Sequence, residues 1–190
     1  MDKIILASNS PRRRQLLEML GLDFEVIQSG VEEPIDPALA PDELVMDLAM
    51  QKAADVFRTH KDRVVLGFDT MVYIDGEPLA KPLSPEDAVR MLKRLSGRTH
   101  TVVTGVSIIT RKVSKSFCER AEVTFYPMTD AEIAGYVASG EPFDKAGAYA
   151  VQGLGAKFVK GIDGDFYTVM GMPVARLYHE LNALGLWSVR

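Results

Sequence analysis

The hydrophobic pattern alternates between short apolar runs and longer segments with helical spacing. Residues 4–7, 63–68 and 71–74 are mostly apolar, which is typical of buried strands. Residues 41–60 carry apolar side chains three and four positions apart, which indicates an amphipathic helix. Strands that alternate with helices favour an α/β fold with helical crossovers.

Turn and capping signals divide the rest of the chain. Asp75-Gly76 is a hairpin signal, whereas Ser84 and Thr129 begin capping patterns of two helices. We predict strands over residues 24–27, 99–110, 114–125, 157–162 and 166–170, a loop over 28–40 and a final helix over 174–184. Hairpins together with helical crossovers indicate a mixed sheet.

The first strand turns directly into a helix that carries two arginines. The Ser-Asn-Ser run suits a tight turn, Ser10 suits the N-cap, and Pro11 suits the first helical position. Backbone N–H groups, the helix dipole and the guanidinium groups of Arg12 and Arg13 would then converge as a phosphate grip. An ordinary capped helix with two solvated arginines explains the same residues, so both interpretations stay open here.

Composition and charge narrow the classes of function. A chain of 190 residues with 47% hydrophobic residues fits one domain or a compact two-lobed unit. A formal net charge of -4 argues against nucleic acid as a partner, so an anionic ligand must be bound by clustered Arg and Lys. The single cysteine excludes an intramolecular disulfide framework, and no apolar run approaches about 18 residues. We expect a cytoplasmic protein without a membrane segment.

The candidate chemistry lies in charged residues rather than in a familiar short motif. Dinucleotide, Walker and nucleophile-elbow patterns are incomplete, and the three histidines lack metal-type spacing. What remains is a set of cations and anions near the ends of predicted elements: Arg12, Arg13, Lys52, Lys81, Glu32, Glu33 and Asp69. Such a set suits a triphosphate bound with a divalent metal. Each residue alone is also typical of a solvated surface, a cap or a turn.

Six motifs that follow one another along the chain favour the interpretation of these charged residues as a triphosphate site. They are residues 8–13 (SNSPRR), 31–33 (VEE), 51–53 (QKA), 67–70 (GFDT), 81–82 (KP) and 144–149 (DKAGAY). In order and spacing, over nearly the whole chain, they resemble the Maf family of nucleoside triphosphate pyrophosphatases. The resemblance implies an elongated mixed β-sheet flanked by helices, with two lobes and a central cleft, as in the inosine triphosphatase-like Ham1 type. Residues 1–190 would form a single domain whose lobes are not independent, commonly as a homodimer.

The resemblance also implies a role for each residue of the site. Asp69 would be the proton acceptor that activates water, and Glu32 and Asp69 would hold a divalent cation, Mg²⁺ or Mn²⁺, with Glu33 as the alternative ligand. The substrate and its phosphates would be bound by Ser8, Ser10, Arg12, Arg13, Lys52, Lys81, Asp144 and Lys145. The implied reaction is attack of water on the α-phosphorus with release of pyrophosphate.

Three positions bear on the choice of base. Arg12, Thr70 and Gln152 match the dTTP/UTP branch of the family, with modified pyrimidine nucleotides as further substrates in a house-cleaning role. The Gln152 amide offers a donor and an acceptor, which complement O4 and N3–H of uracil or thymine. The alternatives are a 7-methyl-GTP pyrophosphatase of the same family and a non-catalytic, nucleotide-binding regulator of cell division.

One residue departs from the family pattern. Phe68 stands where many relatives have alanine, directly before Asp69. A buried aromatic ring at this position would alter the packing behind the base, with overpacking that costs about 1–3 kcal/mol if nothing compensates.

Overall fold

A computed structural model describes residues 4–32, 36 and 38–187. Within them the strands are β1 (Ile4–Leu6), β2 (Phe24–Val26), β3 (Val64–Ile74), β4 (Glu77–Leu79), β5 (Thr99–Ile109), β6 (Ser114–Phe125) and β7 (Val159–Gly164). The helices are α1 (Pro11–Met19), α2 (Pro41–Phe57), α3 (Pro85–Leu95), α4 (Asp130–Ala138), α5 (Phe166–Met170) and α6 (Val174–Ala183). Short 3₁₀ turns cover Glu141–Asp144, Ala146–Ala148 and Leu154–Phe158.

The strands described here form one seven-stranded sheet. Its order is β2-β1-β3-β5-β6-β7, with β4 paired to β3. β1 runs parallel to β2 and β3, whereas β4 and β7 run antiparallel to β3 and β6. This mixed sheet with its helices confirms the predicted α/β class. The expectation of a central cleft stays a prediction.

Helix α2 packs directly on the sheet because two strand residues lack side chains. A Cβ on Gly67 would lie 2.2 Å from the Ala49 carbonyl oxygen, and one on Gly105 would lie 2.2 Å from that of Val45. Around this approach, Ile5, Ala7, Ala53, Val56, Val65 and Ile109 form a buried cluster. The close fit fixes which residue of α2 faces the polar residues in the middle of β3.

The chain forms two compact units. Unit 1 comprises Met1–Asp69, Thr104–Glu119 and Gly171–Arg190, and unit 2 comprises Thr70–Val103 and Arg120–Met170. In unit 2, an aromatic cluster of His100, Phe125, Tyr149, Phe158 and Tyr136 packs edge to face or tilted. None of the described helices is long and apolar enough to cross a membrane.

Most predicted elements are confirmed, but the prediction of a strand over residues 166–170 is wrong. This segment is helix α5, because the Asp165 carboxylate accepts hydrogen bonds from the N–H groups of Tyr167 (3.2 Å) and Thr168 (2.8 Å). A helix start capped in this way outweighs the strand preference of aromatic and β-branched residues. The strand predicted from residue 157 begins at Val159, because a 3₁₀ turn precedes it.

Candidate active site

The turn between β1 and α1 is held by Ser8 and Arg13. The Ser8 hydroxyl oxygen accepts from the Ser10 N–H at 3.3 Å and from Arg13 Nη1 at 3.0 Å. Ser10 occupies the N-cap position as predicted, but its side chain makes no capping hydrogen bond. With both acceptor positions of Ser8 engaged, its own proton is available for a phosphate oxygen.

Arg13 is anchored by two groups that the sequence did not reveal. Its Nε donates to the Gly171 carbonyl oxygen at 2.9 Å. Its guanidinium carbon lies 5.5 Å from the centre of the Phe68 ring, a cation–π geometry. Phe68 is completely buried, so the departure from the family pattern fills space beneath Arg13. Gly171 is 158 positions away from Arg13 along the chain, so no local signal could have identified it.

Arg12 and Arg13 lie in the first turn of α1, which follows the parallel strand β1. Arg12 is partly buried. The unsatisfied N–H groups of a helix start favour anions, and two guanidinium groups beside them add charge and directed donors. This segment therefore has the chemistry of a phosphate site.

Asp69 and Lys52 form a buried ion pair. Lys52 Nζ lies 2.7 Å from Asp69 Oδ1, and the two residues are only 8% and 4% exposed. Lys52 follows Ala49 by one turn of α2, and Asp69 follows Gly67 by two positions on β3. The helix contact at Gly67 therefore brings the two side chains together.

The other oxygen of the same carboxylate is buried without a partner. Asp69 Oδ2 makes no hydrogen bond within the described part of the chain. Buried carboxylate oxygens are normally satisfied, so such an atom marks a place for water or a cation. Lys52 orients the carboxylate through Oδ1, which leaves Oδ2 to act on a reacting group.

The sequence misplaced Asp69 relative to its strand. The apolar runs at 63–68 and 71–74 predict two strands with Asp69 and Thr70 between them, at the carboxyl end of the first, but both residues lie inside β3, which continues to Ile74. The neighbouring parallel strand β1 ends earlier, because its last residue, Leu6, is in register with Leu66. Asp69 is thus three residues beyond the end of the neighbouring parallel strand, and the merged strand includes the two extended runs that we predicted separately.

In the acidic loop, only one carboxylate of the Glu32-Glu33 pair lies within the described residues. Glu32 is exposed, and Glu33 lies outside the described residues. The loop before Glu32 is tied to α2, because the Gly30 N–H donates to Asp55 Oδ2 at 2.9 Å. Over residues 4–32, 36 and 38–187, no group of three or more His, Cys, Asp or Glu side chains is arranged to hold a metal ion.

The remaining predicted residues lie in unit 2. Lys81 and Gln152 are exposed, and Thr70 is partly buried. Lys145 forms an ion pair with Asp144. The Gly147 N–H donates to the Ala80 carbonyl oxygen at 3.2 Å, so the motif over residues 144–149 lies beside Lys81. The structure thus brings Lys81, Asp144 and Lys145 into one region of unit 2.

His100 supports the same region of unit 2. Its Nε2 lies 2.9 Å from the Tyr149 hydroxyl, and its ring packs on Phe125. Burial lowers the pKa of His100 from 6.5 to about 4. The imidazole is therefore neutral at physiological pH and acts as a packing and hydrogen-bonding group.

Comparisons with known proteins place the chain in a family. A family model described as Maf-like protein matches residues 3–184. A Bacillus cereus protein named dTTP/UTP pyrophosphatase is 51% identical over 182 residues, which cover 96% of this chain and 95% of the relative. Proteins of the same name from Bacillus mycoides and Bacillus anthracis are 52% and 50% identical, over 96% and 98% of this chain and 95% and 97% of the relatives.

Among solved structures, the Staphylococcus aureus Ham1 protein aligns with a TM-score of 0.48 and 18% identity, over 65% of this chain and 71% of that chain. With a family match that covers almost every residue, and with relatives about half identical along nearly their entire length, the chain belongs to the Maf family.

Proposed function

We propose that this chain is a nucleoside triphosphate pyrophosphatase that hydrolyses dTTP and UTP to the monophosphate and pyrophosphate. The observation that carries the proposal is the buried Asp69 carboxylate, with Oδ1 held by Lys52 and Oδ2 left to act on water. The names of relatives about half identical over nearly the whole chain support the same substrates. 5-Modified pyrimidine triphosphates are further candidate substrates.

The reaction is an in-line displacement at the α-phosphorus. Asp69 accepts a proton from water, whose oxygen forms the new bond to phosphorus, while the bond to the bridging oxygen of pyrophosphate breaks. Arg12, Arg13 and Lys52 balance negative charge on the phosphoryl oxygens, and the Ser8 hydroxyl donates to one of these oxygens. Ser10 holds the turn in place, because its backbone N–H donates to the Ser8 hydroxyl oxygen. Rate acceleration comes mainly from this positioning and charge stabilisation.

Carboxylate oxygens at Asp69 and Glu32 fit a hard divalent cation such as Mg²⁺ or Mn²⁺. The orphaned Asp69 Oδ2 has two lone pairs, so it could accept the proton of water through one and bind the cation through the other. Glu33 remains the alternative ligand. When bound, such an ion would neutralise charge on the triphosphate. Loss of turnover in excess EDTA and its return with Mg²⁺ or Mn²⁺ would support the metal, whereas full activity in EDTA would remove it from the proposal.

Unit 2 supplies further charge and the choice of base. Lys81 and Lys145 are the proposed phosphate ligands, with Asp144 orienting Lys145 through their ion pair. Gln152 is exposed and carries the amide that complements a pyrimidine edge, while Arg12 and Thr70 bear on the same choice.

We also propose a cytoplasmic homodimer, supported by the family resemblance and by the cytoplasmic pool of free nucleotides. Light scattering on the purified protein measures the oligomeric state.

A triphosphate panel tests the function directly. Release of pyrophosphate from dTTP, UTP, dCTP, ATP, GTP and 7-methyl-GTP should give the highest kcat/KM for dTTP and UTP. Equal or better turnover of 7-methyl-GTP would contradict the pyrimidine assignment. Hydrolysis in ¹⁸O-water should label the monophosphate, and label in pyrophosphate would exclude attack at the α-phosphorus.

Asp69→Asn tests the base. Turnover should fall by about 10²–10⁴-fold, the range for loss of a general base, while nucleotide binding persists. Asp62→Asn, at an exposed position just before β3, is the matched control and should keep full turnover. Undiminished turnover in Asp69→Asn would refute the role of Asp69 as the base, whereas a wild-type protein that binds nucleotide without turnover would favour a nucleotide-binding regulator.

A further inference from the structure

Glu141 gathers three hydrogen-bond donors at the end of helix α4. Its Oε1 accepts from the Tyr136 hydroxyl at 2.8 Å and from the Gly155 N–H at 3.1 Å. Its Oε2 accepts from the Leu154 N–H at 2.9 Å. One carboxylate therefore joins helix α4 to the loop that contains Gln152.

The same network holds that loop on the other side of Gln152. The Ala150 N–H donates to the Tyr136 hydroxyl at 3.1 Å. Val151 is buried, whereas Gln152 is exposed. Gln152 is thus an exposed residue between an anchor at Ala150, which donates to Tyr136, and two anchors at Leu154 and Gly155, which donate to Glu141.

The loop approaches Glu141 so closely that a side chain at position 153 would displace the Glu141 carboxylate. A Cβ on Gly153 would lie 2.2 Å from Glu141 Oε2 and 2.5 Å from its carboxyl carbon. Real Cβ atoms do not approach other atoms this closely, so the carboxylate occupies the space that a side chain would need. The contact between Glu141 and the loop is therefore specific in shape as well as in hydrogen bonding.

Glu141 also contacts the neighbouring segment with the proposed phosphate ligands. Its backbone carbonyl oxygen accepts from Lys145 Nζ at 2.9 Å, and Lys145 is paired with Asp144. Glu141 thereby links the segment at residues 144–145 to the loop around Gln152.

The carboxylate is held in its charged form. Burial would raise the pKa of Glu141, but hydrogen bonds from the Leu154 N–H, the Tyr136 hydroxyl and the Gly155 N–H outweigh it, and the pKa lies below its usual value. A charged acceptor makes stronger hydrogen bonds than a neutral one, so the anchors are firm at physiological pH.

We propose that Glu141 is a positioning residue for base selectivity: with Tyr136 it fixes the loop so that the Gln152 amide is presented to the pyrimidine. The proposal rests on the proposed function of Gln152 in a dTTP/UTP pyrophosphatase. Glu141 acts through Gln152 and does not touch the substrate, since its carboxylate is engaged by α4 and the loop. Loss of the anchors should misplace the amide and weaken discrimination between bases.

Glu141→Gln is the first test variant. It keeps the size of the side chain but turns one acceptor oxygen into a donor that faces an N–H group of the loop. The ratio of kcat/KM for dTTP to that for dCTP should fall about ten- to hundredfold, since a displacement of about 1 Å can cost this much. The change should lie more in the KM for dTTP than in kcat.

Glu132→Gln, on helix α4 beside Tyr136, is the matched control. The Glu132 carboxylate accepts from the Thr129 N–H and the Thr129 hydroxyl, both at 2.8 Å, in a capping box. This substitution also weakens α4 but leaves the loop anchors intact, so the selectivity ratio should not change. An equal loss of selectivity in Glu132→Gln would mean that general destabilisation of α4 explains the effect.

A double-variant cycle separates positioning from a structural role. Gln152→Ala should abolish the selectivity by itself, and Glu141→Gln in that background should cause no further loss. Additive losses would refute action through Gln152. If Glu141→Gln fails to fold, Tyr136→Phe takes its place in the cycle, because it removes the hydroxyl between Ala150 and Glu141 while keeping the ring.

The outcomes distinguish this inference from the proposed function. A wild-type enzyme without preference for dTTP over dCTP would overturn both. A wild-type preference that is lost in Gln152→Ala but kept in Glu141→Gln and Tyr136→Phe would overturn only the role of Glu141. Loss in all three, without additivity and with Glu132→Gln unchanged, would support it.

Discussion

Replacing Lys52 by methionine tests the buried pair on which the candidate base depends. Methionine keeps an unbranched stem of similar length but removes the ammonium group. The substitution takes away the donor that lies 2.7 Å from Asp69 Oδ1. The carboxylate would then be left at a position only 4% exposed, with Oδ2 already lacking a hydrogen-bond partner among the described residues.

The burial of the pair sets the size of the effect. Solvent-exposed ion pairs contribute about 0–1 kcal/mol, because water screens the charges and competes for them. Removal of one partner from a buried pair costs about 3–5 kcal/mol, because the other charge stays desolvated. Lys52 and Asp69 are both almost completely buried. We therefore expect Lys52→Met to lower the free energy of unfolding by about 3–5 kcal/mol at neutral pH.

Urea unfolding followed by far-UV circular dichroism measures this loss for Lys52→Met, Asp69→Asn and the double variant. The double variant removes both charges, so its loss should be smaller than the sum of the single losses by about 1–3 kcal/mol, as expected for contacting residues. Arg58→Met is the control at the end of α2, because Arg58 pairs with Asp55 but is 74% exposed in its side chain. That variant should lose at most about 1 kcal/mol.

A loss for Lys52→Met no larger than that for Arg58→Met would contradict the expected cost of leaving Asp69 buried without its partner. It would mean that water reaches the Asp69 carboxylate and replaces Lys52. Strictly additive losses in the double variant would likewise show that the two side chains do not depend on each other.

Two further predictions concern Phe68 and His100. Phe68→Ala should cost about 3–5 kcal/mol of stability, as for other buried aromatic residues, and should also raise the KM for dTTP because Arg13 loses its support. Phe117→Ala, which removes a ring 5.4 Å from the Arg176 guanidinium, is the control that should leave KM unchanged, and equal KM values in both variants would contradict the role of Phe68. His100 should reduce stability in acid, because its pKa is lowered from 6.5 to about 4 in the folded state. The unfolded chain therefore binds the proton more readily, and the free energy of unfolding should decline by about 3 kcal/mol as the pH drops from 6.5 to 4. His100→Gln does not titrate and can still bond Tyr149, so its stability measured by urea unfolding should decline less between pH 6.5 and 4; the same decline as in the wild type would show that His100 is not responsible.

Local sequence features predicted the elements well where the signal itself is local. The turn at Asp75-Gly76 is formed with positive φ at both residues, and the Ser84 side chain accepts from the Asp87 N–H at 3.2 Å as its capping pattern indicated. The prediction over residues 166–170 failed because a single carboxylate at Asp165 decided between strand and helix. Asp69 was placed at a strand end because the polar pair with Thr70 appeared to interrupt an apolar run that in fact continues as one strand.

The order of the elements, the mixed α/β class and the residues that resemble a Maf site could all be predicted from the sequence, since periodicity, turn chemistry and motif spacing can be followed along the chain without knowing how it folds. Which of these residues contact each other follows from the folded structure alone. Lys52 reaches Asp69 because Gly67 lets α2 approach β3, and Arg13 is held by Gly171 and Phe68. Glu141 joins the Gln152 loop through contacts that no motif contains. Hydrogen bonds and burial between distant segments depend on how the elements pack, and packing is a property of the folded chain.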